Sequence, residues 1–189
     1  MDRLEEYAIE NNIPIMQKDG ILFLTDYIKK HNIKSILEIG SAIGYSAIKM
    51  AKTCDDVKIV TIERDVFRYN LALKNIKDFG LNDRIEVVLA DALDVEIQGL
   101  FDLIFIDAAK AQYIKFFEKF KSNLKDNGVI ISDNLNFHGL SKNVDSIKSK
   151  NLKALVKKIN NYRTFLQENK EFKTEFLEIG DGIAISKKA

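Results

Sequence analysis

Five short apolar runs, separated by segments with helical periodicity, constrain the fold of this chain more than any other feature. The runs cover residues 35–39, 57–62, 85–89, 101–106 and 129–131. Each is apolar at consecutive positions and is followed by Gly, Glu or Asp near its end. A strand of a parallel sheet that is buried on both faces has this composition, whereas a half-exposed strand would alternate. The runs therefore predict five buried parallel strands.

Amphipathic segments connect these runs and predict helices at residues 45–52, 66–79, 113–124 and 151–166. Gly80 gives the second of them a C-terminal stop signal. Two further strands, 173–179 and 183–187, flank Gly180-Asp181-Gly182, which predicts a terminal β-hairpin. Repeated βα units with right-handed crossovers predict an α/β fold with a doubly wound sheet, in which ligands bind at the carboxyl ends of the strands.

Composition sets wider limits on the chain. Its 189 residues suit one domain, 1–189, and the net charge of +1 points to no particular partner. Cys54 is the only cysteine, which excludes an internal disulfide and a cysteine-based metal site. The charged N-terminus has no apolar signal core, and no run approaches the roughly 18 apolar residues of a membrane span. We expect a cytoplasmic protein that does not enter the membrane.

The loop after the first run carries two glycines, Gly40 and Gly44, which permit a tight turn and a close backbone approach to a ligand. Their spacing does not match the dinucleotide fingerprint G-x-G-x-x-G. Glu38, just before the loop, would repel a pyrophosphate but attract an ammonium group. This combination favours a nucleoside that bears an amino acid. An ordinary strand–helix turn is the alternative.

The second and third strand ends also carry acids. Glu63 follows the loop by about 20 residues, where a carboxylate can accept hydrogen bonds from two ribose hydroxyls. It can instead serve the N-terminus of the next helix, although Asp65 suits that role better. Asp91 can accept a hydrogen bond from an adenine amino group, or it can cap a helix.

The fourth and fifth strand ends bring together the residues with the most chemistry. Asp107 and Lys110 follow one strand, and Asp133 and Asn134 follow the next. Two carboxylates and an amide oxygen are hard ligands that suit Mg²⁺ or Mn²⁺. A lysine near a metal in a partly desolvated cleft has its charged form disfavoured, so Lys110 can act as a general base. A surface ion pair and a turn are the alternative interpretation.

These motifs together resemble the catechol/caffeoyl-CoA type of metal-dependent O-methyltransferase. The resemblance rests on Glu38-x-Gly40-x-x-x-Gly44-Tyr45-Ser46, Glu63, Asp91-Ala92, Phe105-Ile106-Asp107-x-x-Lys110 and Ser132-Asp133-Asn134, in this order over most of the chain. Within that family, residues 13–20 and the basic helix after residue 150 resemble bacterial tRNA 5-hydroxyuridine methyltransferases.

The resemblance implies the strand order 3-2-1-4-5-7-6 with the last strand antiparallel, and a homodimer. It implies a metal site of Asp107, Asp133 and Asn134, with Mg²⁺ or another divalent cation, and Lys110 as the catalytic base. S-Adenosylmethionine would contact Ile15, Met16, Glu38, Gly40, Ser41, Gly44, Tyr45, Ser46, Glu63, Arg64, Asp91, Ala92 and Asp107. One departure concerns the acidic residue that holds the free hydroxyl in catechol enzymes. The corresponding helix holds Arg163 here, which argues against a simple catechol.

The implied reaction needs an acceptor with two neighbouring oxygens, which would chelate the cation while Lys110 removes a proton. Catechol has such a pair, and 5-hydroxyuridine has one in O5 and O4. The segment 142–163 bears Lys142, Lys148, Lys150, Lys153, Lys157, Lys158 and Arg163 against Asp145. Lys150, Lys153 and Lys157 share a helix face, which suits the phosphate backbone of tRNA, or is simply a solvated face. His138 is expected to be exposed.

Three rival functions follow from the same residues. A small-molecule O-methyltransferase acting on a phenol would share every catalytic residue. An NAD-linked oxidoreductase on a similar sheet is disfavoured by the loop spacing and by Glu38. A non-catalytic nucleotide-binding protein would leave the convergence of Asp107, Lys110 and Asp133 unexplained. The sequence therefore favours a methyltransferase that acts on tRNA.

Overall fold

The five apolar runs form parallel strands in a computed structural model, which describes residues 2–136 and 149–189. The strands are β1 Ser35–Ile39, β2 Lys58–Glu63, β3 Ile85–Leu89, β4 Phe101–Ile106 and β5 Leu124–Ser132. The fifth begins five residues before the predicted 129, because the polar residues between Leu124 and Gly128 lie at its outer end. There Leu124 pairs with Phe101 through a register shift.

The terminal hairpin completes the sheet. Its strands are β6 Phe172–Leu177 and β7 Ile183–Lys188, and β7 runs antiparallel to both β5 and β6. The order across the sheet is β3-β2-β1-β4-β5-β7-β6, which confirms the predicted doubly wound topology. Because β1 lies between β2 and β4, the carboxyl ends of the central strands open on one shared cleft.

Six helices cover the sheet in the described part of the chain: α1 Asp2–Glu10, α2 Lys18–Lys30, α3 Tyr45–Ala51, α4 Val66–Asp78, α5 Tyr113–Phe120 and α6 Lys150–Glu168. The prediction that the third helical segment reaches residue 124 was wrong. That helix ends at Phe120 and a 3₁₀ turn follows, because Leu124 already belongs to β5. Asp65 caps α4 by accepting a hydrogen bond from the backbone N–H of Arg68 at 2.9 Å.

Two apolar layers hold the helices on the sheet. Successive residues of β4 point to opposite faces, so Phe105 packs in the layer under α1–α4 and Ile104 in the layer under α5 and α6. Burial on both faces explains why these strands are apolar at consecutive positions. None of the described helices is long and apolar enough to cross a membrane.

Candidate active site

A cavity of about 310 Å³ opens at the carboxyl ends of β1, β2 and β4. Its wall includes every predicted cofactor residue except Glu38 and Gly44, together with Lys110 and Asn134. The sequence reasoning did not single out the other wall residues: Pro14, Ile39, Ala42, Ile62, Arg68, Ala90, Ala108, Ala109 and Phe116. Most of these are neighbours of predicted residues at the same strand ends. Arg68 was detectable as the residue one helical turn after Arg64.

The glycine loop folds as its two glycines require. Gly40 has a φ of +102° and Gly44, which precedes α3, has a φ of +80°. A Cβ at Gly40 would stand 2.2 Å from the backbone oxygen of Asp107, and one at Gly44 would meet Ala72 at 3.4 Å. Only glycine fits at residue 40, because the loop is pressed against the end of β4.

Glu38 lies behind the cavity wall. Its carboxylate is fully buried and accepts hydrogen bonds from the hydroxyls of Ser46 and Thr61, each at 2.5 Å. Burial raises the pKa of Glu38 to about 7, although both hydroxyls oppose this shift. Because Ser46 is part of the wall, Glu38 acts on the cavity through Ser46 in this structure. Direct contact of Glu38 with a cofactor stays a prediction.

Glu63 ties the glycine loop to the tip of β2. One carboxylate oxygen accepts from the backbone N–H of Ala42 at 2.8 Å, and the other accepts from those of Arg64 and Asp65 at 2.9 Å. Since Asp65 caps α4, Glu63 is left to face the cavity. The oxygen that accepts only from Ala42 retains lone-pair capacity for a hydroxyl donor such as a ribose group.

Asp91 lies at the third strand end and also lines the cavity. One of its oxygens accepts from the backbone N–H of Leu93 at 2.9 Å, and the other lies 3.5 Å from a guanidinium nitrogen of Arg64. The residues that follow form a turn and no helix, so Asp91 does not serve as a helix cap. Its second oxygen is thus available at the edge of the cavity.

The structure brings Asp107, Asp133 and Asn134 together, as predicted, and these three residues form the acidic group of the site. The amide nitrogen of Asn134 donates to Oδ1 of Asp107 at 2.9 Å and to Oδ2 of Asp133 at 3.1 Å. Asn134 adopts a left-handed conformation with a φ of +66°, which asparagine tolerates better than most residues. Pairing of Ile106 with Ser132 sets this convergence, because Asp107 and Asp133 each follow one member of that pair.

Burial dominates the electrostatics of this group. It raises the pKa of both Asp107 and Asp133, and the charge of Asp107 raises that of Asp133 further. Lys110 opposes both shifts and Asp181 adds to them. Asp181 is itself buried, in the β6–β7 turn, and the sequence reasoning treated it only as a hairpin residue. The sequence feature that could have identified Asp181 as a site residue was its position between two glycines at the end of a strand.

These donors fit a hard divalent cation. The described residues contain no cluster of three or more His, Cys, Asp or Glu that could hold a metal, so a cation would rest on two carboxylates and one amide. The amide nitrogen of Asn134 now separates two acids that burial disfavours as anions. Rotation of the side-chain amide of Asn134 by about 180° would exchange its nitrogen and oxygen, so that the oxygen would face Asp107 and Asp133. Water or substrate would supply the remaining ligands.

Lys110 begins a 3₁₀ turn immediately after β4 and reaches the wall of the cavity half-buried. Its charge acts on Asp107 and Asp133, which places its side chain near the acidic group. A lysine held beside two acids and open to a ligand cavity is a candidate for proton transfer.

The basic segment is described only from residue 149 onward. His138, Lys142, Asp145 and Lys148 lie outside the described residues. Ser149 caps α6 by accepting from the backbone N–H of Leu152 at 3.4 Å. Lys150 and Lys157 are exposed and Lys153 is half-buried, so this face of α6 is open to solvent.

Comparison with known proteins yields consistent matches. A family model described as O-methyltransferase matches residues 1–189. Caffeoyl-CoA O-methyltransferase 1 of Eucalyptus globulus is 30% identical, and the match covers 100% of this chain and 81% of that protein.

Two solved structures share the fold over the whole chain. A Staphylococcus aureus protein, provisionally described as a caffeoyl-CoA O-methyltransferase, has 36% identity and a TM-score of 0.95, with 91% of its chain covered. An O-methyltransferase from Bacillus cereus, solved in complex with SAH (S-adenosylhomocysteine), has 25% identity and a TM-score of 0.84, with 90% covered.

Proposed function

This chain belongs to the O-methyltransferase family and is an S-adenosylmethionine-dependent O-methyltransferase, and we propose that it methylates a hydroxyl whose neighbouring oxygen shares a divalent cation with it. The acceptor we propose is 5-hydroxyuridine in tRNA, which would become 5-methoxyuridine. The cation is Mg²⁺ or Mn²⁺, held by Asp107, Asp133 and Asn134.

One observation carries the proposal. Asn134 bridges Asp107 and Asp133 at 2.9 and 3.1 Å, and Asp107 and Asn134 also line the cavity that holds the cofactor residues. When bound there, a divalent cation would lower the pKa of the acceptor hydroxyl and orient its two oxygens. Acids with raised pKa values at the wall of a cavity are typical of functional sites.

The residues of the chain have separable roles in this reaction. Glu63 would hold the ribose, and Ile15 and Met16 would cover the methionine end of the cofactor. Lys110 would accept the proton that the acceptor hydroxyl loses. The acceptor oxygen then forms a bond to the methyl carbon, and the sulfur leaves with the electron pair of its former bond to that carbon. Positioning of oxygen and methyl group supplies much of the rate.

Two features support tRNA as the acceptor. The exposed face of α6 presents Lys150 and Lys157, and the helix has no acidic residue before Glu168. A phosphate backbone is the partner that such a face attracts most strongly. The uracil ring of 5-hydroxyuridine also carries the neighbouring oxygens that the acidic group requires.

A small phenol with adjacent hydroxyls is the second candidate acceptor. The names of the Eucalyptus and Staphylococcus relatives favour it, since both refer to caffeoyl-CoA. It would use the same cavity, the same acids and Lys110. It would leave the lysines of α6 without a function.

A methylation assay with labelled S-adenosylmethionine distinguishes the two acceptors. We expect label in tRNA that contains 5-hydroxyuridine, little label in catechol or caffeoyl-CoA, and loss of activity with a chelator. Lys110→Ala should lower kcat by a factor of about 10² or more, whereas Lys115→Ala, an exposed lysine on α5, should not change it. Label confined to the phenols would disprove the tRNA assignment, and full activity in chelator would disprove the cation.

A homodimer and a cytoplasmic location remain predictions. The family resemblance implies the first. Size-exclusion chromatography with light scattering measures the mass of the assembly, for which we expect twice the 21.6 kDa of one chain. Cell fractionation with an antibody against the protein tests the location.

A further inference from the structure

Two neighbours hold Arg163 of α6 in place at the segment that follows Asp133 and Asn134. Its Nη1 donates to the side-chain oxygen of Asn136 at 3.2 Å, and its guanidinium lies over the ring of Phe176 at 4.8 Å from the centroid. Asn136 is only two residues from Asn134. Arg163 is therefore a half-buried cation whose orientation is set by two neighbours.

The strand order places Arg163 on the acceptor side of the acids. The predicted cofactor residues lie at the ends of β1, β2 and β3, and the acids follow β4 and β5. The next strand is β7, and there the backbone N–H of Asn136 donates to the oxygen of Asp181 at 2.7 Å. Asn136 also packs on Gly182, where a Cβ would stand 2.7 Å from its Cγ. Arg163 thus lies on the β7 side of the acids, away from the strand ends that carry the predicted cofactor residues.

The lysines of α6 lie around the helix from Arg163 and do not share its side. At 100° per residue, Lys153 is turned about 80° from Arg163, and Lys157 and Lys150 are turned about 120° and 140° in the same direction. The 13 residues from 150 to 163 span about 20 Å at 1.5 Å per residue. A strand of RNA that follows these lysines would meet positive charge over several phosphates, and Arg163 lies between that surface and Asn136.

We propose that Arg163 binds a backbone phosphate of the polynucleotide acceptor, next to the nucleotide whose hydroxyl reaches Asp107 and Asp133. This inference rests on the proposed function. A guanidinium forms paired hydrogen bonds with phosphate oxygens, and a ring stacked on its face leaves its N–H edges available. Arg163 therefore selects a nucleotide within RNA over a free nucleoside or a phenol.

Kinetics on two acceptors test this role. Arg163→Gln should raise KM about tenfold for tRNA that contains 5-hydroxyuridine, and should leave kcat/KM for free 5-hydroxyuridine unchanged. The slope of log KM against log salt concentration should fall by about one. Arg163→Lys should recover only part of the affinity, because lysine cannot form the paired hydrogen bonds.

A matched variant separates local from general charge effects. Lys58→Gln removes one positive charge at the amino end of β2, opposite the cavity. It should change the KM for tRNA and the KM for free 5-hydroxyuridine by no more than about twofold. Thermal unfolding of each variant checks that it folds. Arg163→Lys keeps the test valid if Arg163→Gln is unstable.

The results that would overturn the inference differ from those that would overturn the proposed function. If Arg163→Gln loses activity equally on tRNA and on the nucleoside, Arg163 merely supports Asn136 and the acids. If the variant matches the wild type on both, it binds no phosphate. If the wild-type enzyme itself fails on tRNA but methylates phenols, both the proposed function and this inference are wrong.

Discussion

The backbone oxygen of Asp107 lies directly against Gly40, so that a Cβ at residue 40 would stand 2.2 Å from it. This contact joins the glycine loop that lines the cavity to the strand that carries the first acid. Two hydrogen bonds support it, from Asp107 N–H to Ile39 at 3.1 Å and from Gly40 N–H to Ile62 at 3.0 Å. The glycine loop and the acids that follow β4 and β5 therefore share one backbone joint.

Gly40→Ala should disrupt that joint. The added methyl group must displace the end of β4, and the positive φ of residue 40 adds roughly 1–2 kcal/mol of strain. We expect at least tenfold weaker binding of S-adenosylmethionine by calorimetry, together with a lower free energy of unfolding. Gly99→Ala is the matched control, because Gly99 has a φ of +99° but no atom within 4 Å of its added Cβ. Equal behaviour of the two variants would mean that strain alone, and no contact with Asp107, explains the glycine.

Glu38→Gln should reduce the pH dependence of stability in the cofactor-free protein. The folded pKa of Glu38 is about 7, above its usual 4.5, so the folded state holds a proton that the unfolded state releases. Stability therefore falls as pH rises from about 4.5 through 7, by roughly 3 kcal/mol in total. Glutamine carries no charge and should remove this part of the slope.

Urea unfolding of the Glu38 variant between pH 4.5 and 8.5 measures the effect. Asp107 and Asp133 also have raised pKa values, so part of the slope should remain. Glu86→Gln, an exposed glutamate on β3, controls for loss of a charge. If Glu38→Gln leaves the pH dependence of the free energy of unfolding unchanged, the folded pKa of Glu38 is not raised above its usual 4.5.

The strands and most of the cavity wall were predictable from the sequence. A strand that is buried on both faces is apolar at consecutive positions, and the polar residues that follow it mark its end. Phe101–Ile106 is apolar at almost every position, and its end marks Asp107. The start of β5 was not predictable in this way. Residues 125–127 are polar, and they belong to the strand because Leu124 before them and Val129 after them both pair with β4.

Residue contacts across strands were harder to predict than residue types. The sequence indicated that Glu38 is near a ligand, but the hydroxyls of Ser46 and Thr61 that enclose it belong to different elements. Asp181 was read as part of a turn, because nothing in a hairpin motif shows which strand the hairpin joins. Only the antiparallel pairing of β7 with β5 brings its charge toward Asp107 and Asp133.

Asp102→Asn should destabilise the opposite end of the sheet. Burial would raise the pKa of Asp102, but hydrogen bonds from Lys125 and from the backbone of Lys34 and Ser35 lower it to about 2. A depressed pKa contributes stability above the unfolded value of 3.8, and this contribution is lost as pH falls toward 2. The shift corresponds to about 2 kcal/mol at pH 7.

Denaturant unfolding at pH 7 and at pH 2.5 tests the Asp102 prediction. The difference in the free energy of unfolding between the wild type and Asp102→Asn should be smaller at pH 2.5 than at pH 7. Asp56→Asn breaks an exposed pair with Lys34 and should change stability much less at pH 7. A loss of stability at Asp56 as large as that at Asp102 would contradict the role assigned to the partly buried hydrogen bonds of Asp102.

Asp133→Asn should stabilise the metal-free protein and abolish its response to a cation. Burial and the charge of Asp107 raise the pKa of Asp133, so its ionised form costs stability as pH rises. We expect the variant to gain at least about 1 kcal/mol at pH 8, and less at pH 5. The free energy of unfolding of the wild type should rise by about 2.7 kcal/mol in Mn²⁺ at 100 times its Kd, and that of the variant should hardly change.

Urea unfolding in chelator and in Mn²⁺ measures both effects of Asp133→Asn, with Asp126→Asn, a fully exposed acid on β5, as the control. A variant that is less stable in chelator yet still stabilised by Mn²⁺ would mean that Asp133 supports the fold and holds no cation.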